Sequence, residues 1–227
     1  MEFMPIFVLI VILIIAFGVL NAWLTGKRRK ELVMWAQPKG LSFTSEKDSG
    51  MGQRFPFPCL QQGDGRYAYN IMAGQWRIRP VTAFDYHYET HSTNSKGGRQ
   101  THHHHFSAVI LESEVPLKPL FMRPEGLLDK VAEFIGFDDI DFESAEFSRK
   151  FYVKAEDKRW AYDVIHARTM EFLLSMPKFS VQLGGRHAIA WRSTTFAPAE
   201  FEAAAEVLRG ILDRLPEYVV KQLKDEA

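Results

Sequence analysis

Six of the eight histidines fall between positions 87 and 105: His87, His91 and the run His102-His103-His104-His105. Alternate residues of a strand share a face, so an extended Trp76 to Tyr88 segment carried on to His91 projects His87, Glu89 and His91 together. A strand returning through the histidine run would set either His102 with His104 or His103 with His105 against them. Imidazole-rich ligation of this kind suits zinc, nickel or copper, and the set His87, His91, His102 and His104 defines the metal hypothesis, with a divalent transition metal such as zinc as its cofactor. The plainer reading is a solvated, polar hairpin end that takes no cofactor. The sequence favours it, because spacing alone fixes neither a tetrahedral geometry nor an outer shell.

Other residues capable of chemistry form weaker patterns. Asp139, Asp141 and Glu143 share one face of an extended segment, with Ile140 and Phe142 on the other; such a row could hold Mg²⁺ or Ca²⁺, but it lacks the glycine and ligand spacing of a calcium loop and reads as the wet side of an amphipathic strand. Cys59, the single cysteine, lies between Pro58 and Leu60 and reads as a buried structural thiol. Asp85 and His166 would make an acid/base pair only if the fold joined them. No G-x-S-x-G elbow, phosphate loop, H-E-x-x-H or dinucleotide fingerprint occurs, so no catalytic residue is nominated and a non-enzymatic role is expected.

The element that must position everything else is the apolar run from Pro5 to Leu24, closed by Lys27-Arg28-Arg29-Lys30. About 20 apolar residues cross a hydrocarbon core as a helix. The basic cluster follows the run and the only earlier charge is Glu2, so the positive-inside rule puts the N-terminus outside and the large C-terminal part in the cytoplasm, at the plasma (inner) membrane. A cleavable signal peptide would need a leading positive charge and a shorter apolar core. Lys27, Arg28, Arg29 and Lys30 are also candidates for contact with anionic headgroups of the lipid bilayer. Lys plus Arg and Asp plus Glu both number 28, a balance that argues against nucleic acid as a partner.

Helix-forming residues continue through Ala36 to Pro38, with Trp35 read as the first core residue. The Arg66 to Ala73 and Trp76 to Tyr88 segments form a β-hairpin through Gly74-Gln75, with Pro80 at an edge or bulge. His105 to Glu112 is a strand pairing back on Val81 to His91, and Leu117 to Met122 is a short extended segment. A helix is expected over Gly126 to Ile135, strands over Asp138 to Glu143 and Phe147 to Val153, and a helix over Lys158 to Met176 capped by Asp157. Phe179 to Trp191 reads as a hairpin turning at Gly184-Gly185. Pro198 opens a long amphipathic helix ending before Pro216, with further turns over Glu217 to Leu223.

The class is therefore α+β: an N-terminal transmembrane helix followed by a cytoplasmic domain of antiparallel hairpins packed with about three helices. Its divisions are an anchor over 1–26, a basic juxtamembrane helix over 27–40 and a globular part over 41–227, whose loose repetition of strands followed by a helix suggests two similar halves, 41–136 and 137–227.

AFDYHYET (Ala83 to Thr90), RPEG (Arg123 to Gly126), DIDFESAEFSRKFYV (Asp139 to Val153) and AEDKRWAYDVIH (Ala155 to His166), together with the basic-ended anchor, resemble a group of bacterial single-span membrane-anchored proteins of unknown function. The resemblance implies a bacterial source and a single-span topology; it brings no activity, cofactor or site residue. The leading expectation is a membrane-tethered cytoplasmic domain that binds a protein partner or associates with the inner leaflet. The alternative is a metal-binding protein or metal-dependent enzyme using the histidine hairpin.

Overall fold

The computed structural model describes residues 4–93, 97–126 and 140–226, with side chains from residue 8 onward. Helix α1 (Met4–Ala36) is continuous from the apolar run through the basic cluster. At 1.5 Å per residue its 33 residues extend about 50 Å, and its apolar part is long enough to cross a membrane. A 3-10 turn over Gln37–Lys39, with Pro38 inside it and left-handed Gly40 (φ 71°) after it, ends the helix. The chain then enters the short edge strand β1 (Ser42–Thr44).

After the short helix α2 (Met51–Arg54), three long antiparallel strands follow: β2 (Asp64–Trp76), β3 (Arg79–Thr93) and β4 (Arg99–Pro124). The expected first hairpin is present, but its turn falls at Arg77-Ile78, because the register Gly74↔Val81 through Trp76↔Arg79 keeps Gly74 and Gln75 inside the ladder. Arg77 takes the positive φ (57°) that the tight turn requires. Leu117 to Met122 is not a separate segment but the distal part of β4.

Beyond β4 come α3 (Ala145–Lys150), β5 (Phe151–Ala155), α4 (Lys158–Val164), α5 (Ala167–Ser175), β6 (Ser180–Arg192), α6 (Pro198–Leu212) and α7 (Glu217–Asp225). The strand expected over Phe147 to Val153 is half helix, since Ser144 caps α3 by accepting from the Phe147 N–H, and the extended chain starts only at Phe151. Asp157 caps α4 through the Trp160 N–H (3.0 Å), as anticipated. The helix expected over Lys158 to Met176 is broken at Ile165-His166 into α4 and α5. The helix expected over Gly126 to Ile135 lies, beyond Gly126 itself, outside the described residues, as do Asp138 and Asp139. Ile140 and Phe142 are buried and Asp141 is exposed, so the alternation holds, but the segment is irregular chain and not a strand.

Phe179 to Trp191 does not form a hairpin. Both halves of β6 pair with the same long strand β4, from Ser107↔Arg192 to Met122↔Val181. The glycines lie beside a bulge, where four residues of β4 (Ser113 to Pro116) stand between two pairs (Glu112↔His187 and Leu117↔Gly185), and the positive φ of Gly185 (55°) accommodates the irregularity instead of a reversal. β3 and then β5 (Leu120↔Ala155) occupy one edge of β4, and β6 the other. Among the described residues the fold is thus α+β: an apolar N-terminal helix, an antiparallel six-stranded sheet ordered β1-β2-β3-β4-β5 with β6 on β4, and six further α-helices.

Alternation along the strands divides the core. Val81 and Ala83 of β3, Val109 and Leu111 of β4, and Ala188 and Ala190 of β6 face α1 and the C-terminal helices. Phe84 and Tyr86, Phe106 and Ile110, Ile189 and Trp191 face the other way, covered by Met51, Phe57, Cys59 and Leu60. Cys59 is a buried core residue, as read from the sequence. Leu32 and Ala36 of α1 are wholly buried, and Trp35 stacks on Trp76 (6.2 Å, 18°) and packs on Phe201 (5.9 Å), so α1 enters the core as one of its layers.

Candidate functional site

The helix-covered face of the sheet carries the polar residues. At its centre is Asp85 of β3, with no exposed surface. Its carboxylate accepts from Arg28 Nε (2.9 Å) and Nη2 (2.6 Å), from Asn70 Nδ2 (2.9 Å) and from Ser107 Oγ (2.5 Å). Arg28 Nη1 donates to the Phe196 carbonyl (3.0 Å), and the Phe196 N–H donates to Ser107 Oγ (2.8 Å). Asn70 reaches Asp85 from a bulge between Tyr69 and Met72, where it holds φ 49°. A forked guanidinium on a carboxylate is the ion pair with the strictest geometry, and here it fastens α1 to the middle of the sheet.

This finding revises the reading of the basic cluster. Arg28 is turned into the fold, while Lys27, Arg29 and Lys30 are exposed. The signal was present in the sequence: Arg28, Leu32 and Ala36 lie four residues apart on one helix face, and Asp85 interrupts an apolar, aromatic strand. It also settles the Asp85–His166 question. Asp85 is taken up by Arg28, and His166 Nε2 instead bonds the Arg214 carbonyl (2.9 Å).

Two residues beyond Asp85 on the same face, about 7 Å along the strand, is His87. It is buried, stacked on Tyr67 (4.6 Å, 26°), and its Nδ1 bonds the Gly65 carbonyl (3.0 Å). A carbonyl only accepts, so Nδ1 carries the proton, and in the neutral ring Nε2 presents its lone pair. That lone pair meets His103 Nδ1 at 3.1 Å, and Glu89 Oε1 lies 3.4 Å from His103 Nδ1 and 3.9 Å from His87 Nε2. The start of β2 crowds this carboxylate: a side chain at Gly65 (φ 59°) would place its Cβ 3.1 Å from Glu89 Cδ and 3.3 Å from Glu89 Oε1. His105 completes the patch, with Tyr69 Oη on its Nδ1 (3.1 Å). Desolvation, then the proximity of the neighbouring imidazoles His87 and His103, holds the His105 pKa below its ordinary value, and desolvation pushes the Tyr69 hydroxyl up to about 12.

The register decides which histidines meet. His87↔His105, Glu89↔His103 and His91↔Thr101 share one face; Tyr88↔His104 and Thr90↔His102 share the other. His102 and His104 therefore do not join His87. Their Nε2 atoms bond Ser92 Oγ (2.9 Å) and Thr90 Oγ1 (2.8 Å), and His104 stacks on Tyr88 (4.6 Å, 12°). His91 shares the His87 face but is paired with Thr101 Oγ1 (3.1 Å) and Asp64 (3.7 Å), one step further along. Among the described residues His87, Glu89 and His103 are the group with converging metal-ligating atoms.

No family model matches the sequence, and no curated protein does. One solved fold is similar. The crystal structure of the mycobacterial trehalose monomycolate transport factor A superposes with a TM-score of 0.57 at 13% identity, over 82% of this chain and 93% of that one. The likeness covers most of both chains and is a likeness of fold.

Proposed function

We propose that the protein is a single-pass membrane protein whose cytoplasmic α+β domain is a non-enzymatic docking module, held at a set orientation against the inner leaflet of the plasma membrane. The observation that carries this is the continuity of α1: one helix runs from the apolar stretch into the core and is locked there by Arg28 on Asp85. A flexible tether would leave the domain free to tumble. A helix packed through Leu32, Trp35 and Ala36 transmits the direction of the anchor to the sheet.

Lys27, Arg29 and Lys30 remain available to anionic headgroups, each contributing on the order of 1 kcal/mol of attraction near the surface. Trp23 stands one turn before them, under the Lys27 ammonium (5.7 Å to the ring), the position of an interfacial indole. The similar mycobacterial fold is that of a transport factor, so the partner class to test first is an integral membrane transport protein.

Two measurements on cells carrying a C-terminally tagged chain test this. Protease added to intact spheroplasts should spare the tag and protease added to lysed ones should remove it; degradation from outside overturns the orientation. Site-specific photocrosslinking from exposed Ile78 and Tyr218 in native membranes should capture a defined membrane-protein adduct; adducts to lipid alone overturn the docking role.

A further inference from the structure

The cluster on the β2–β4 end of the sheet has a geometry that the docking role leaves unused. Three ligand-type atoms converge there: His87 Nε2, His103 Nδ1 and Glu89 Oε1, with separations of 3.1, 3.4 and 3.9 Å. Two ligands bonded to a tetrahedral zinc at 2.0–2.2 Å stand about 3.3–3.6 Å apart, so these separations bracket the edge of its coordination tetrahedron. The point equidistant from the three atoms lies about 2.0 Å from each, within the range of zinc–imidazole and zinc–carboxylate bonds.

An outer shell is already built. The Gly65 carbonyl holds the Nδ1 proton of His87 and so aims the Nε2 lone pair inward, the arrangement that orients metal-bound imidazoles. Tyr67 stacked on the ring fixes its plane. Gly65 leaves little room for a side chain beside Glu89, whose Cδ and Oε1 would lie 3.1 and 3.3 Å from a Cβ there, so the carboxylate packs closely on the start of β2. His87 Nε2, His103 Nδ1 and Glu89 Oε1 face one another across 3.1–3.9 Å, and a divalent ion between them would satisfy all three as acceptors.

We infer that His87, Glu89 and His103 form a two-histidine, one-carboxylate site for a divalent transition metal, zinc being the ion whose bond lengths fit, with a fourth position left to solvent. Cysteine plays no part, since Cys59 packs in the core on the opposite face of the sheet. His103 and Glu89 have exposed side-chain surface (58% and 28%), so an ion can reach the site without unfolding. The site is independent of the docking role, and either can fail without the other.

The test uses the full chain in detergent, purified without an affinity tag, stripped with chelator and titrated with Zn²⁺ by calorimetry and with Co²⁺ by visible absorption. Glu89→Gln and His103→Ala are the site variants, and His102→Ala/His104→Ala is the control on the other face of the same strand. Removing even an outer-shell partner of a metal site lowers affinity roughly 10- to 100-fold, so each site variant should lose at least about tenfold while the control stays within twofold of wild type. Co²⁺ should give the intense d–d bands of four-coordination with wild type and control only. A wild-type chain that binds no metal, site variants that retain wild-type affinity, or a control that loses as much as they do would each overturn the assignment. The last would mean that the histidine run binds as a flexible tract. Both substituted site residues have exposed surface, and unchanged far-UV circular dichroism will show that loss of metal is not loss of fold.

Discussion

Replacing Arg28 by Met probes the lock between membrane helix and sheet. Asp85 has no exposed surface and the Arg28 side chain is 27% exposed, so the substitution leaves a carboxylate in the core with only Asn70 and Ser107 as donors. Breaking a buried pair by removing one partner destabilises by about 3–5 kcal/mol; the partial exposure of Arg28 lets water reach the vacated space and puts the expectation near the lower end, about 3 kcal/mol. For a chain of this size that corresponds to a fall in Tm of roughly 6–12 °C. Asp85→Asn should destabilise less, by about 1–2 kcal/mol, because it keeps the shape and an acceptor for Ser107 while Arg28 can turn to solvent. The double variant should then be less destabilised than the sum of the two, with a coupling of at least about 1 kcal/mol. Thermal unfolding in nanodiscs, followed by near-ultraviolet circular dichroism of the Trp35–Trp76 stack, supplies the numbers, and limited proteolysis over residues 27–40 reports whether α1 has come off the sheet. An Arg28→Met variant within about 0.5 kcal/mol of wild type, with that segment still protected, would refute the lock and with it the oriented domain.

Three further perturbations test separate parts of the fold. Gly210→Ala places a Cβ 2.2 Å from the Phe172 ring where α6 meets α5, and should lower stability by about 1–3 kcal/mol in denaturant unfolding; a neutral result would mean that α5 repacks freely. Asp157→Ala removes the cap of α4, with its backbone bond to Trp160, and should destabilise by about 1 kcal/mol, measured the same way. Acidification tests His105 and His187, whose pKa values burial holds below the ordinary 6.5. The unfolded chain binds protons there that the folded one does not, so stability should fall as pH drops from about 7 towards 5.5. His105→Asn/His187→Asn should flatten that slope in Tm against pH; an unchanged slope would assign it to other groups.

Much of the architecture was legible in local signals. Apolar length marks α1 as a candidate span, because backbone groups in hydrocarbon must be satisfied within the segment. Pro198 and the apolar spacing from Phe201 to Leu212 specify α6, and Asp157 specifies a helix start, because caps and amphipathic stripes are properties of neighbouring residues. The strand character of β2, β3 and β4 was equally plain from aromatic and β-branched runs.

Pairing was not legible. The Gly184-Gly185 signal describes a hairpin correctly in local terms, and it lost to a 26-residue neighbour, β4, long enough to pair with both halves of β6 at once. The same is true of the site. Strand alternation already placed His87 with Glu89 and left two choices for their partners; the one-residue difference between His102/His104 and His103/His105 depends on register, which inverts every side chain when it slips by one. Only the assembled sheet set that register. Arg28 illustrates the remaining gap: in sequence it is one of four basic residues at a membrane boundary, and a carboxylate buried 57 residues away decides that it alone turns inward. Composition and periodicity are summed over neighbours in the chain, whereas ion pairs and metal-ligating triads depend on neighbours in space, which the sequence carries only through the fold it encodes.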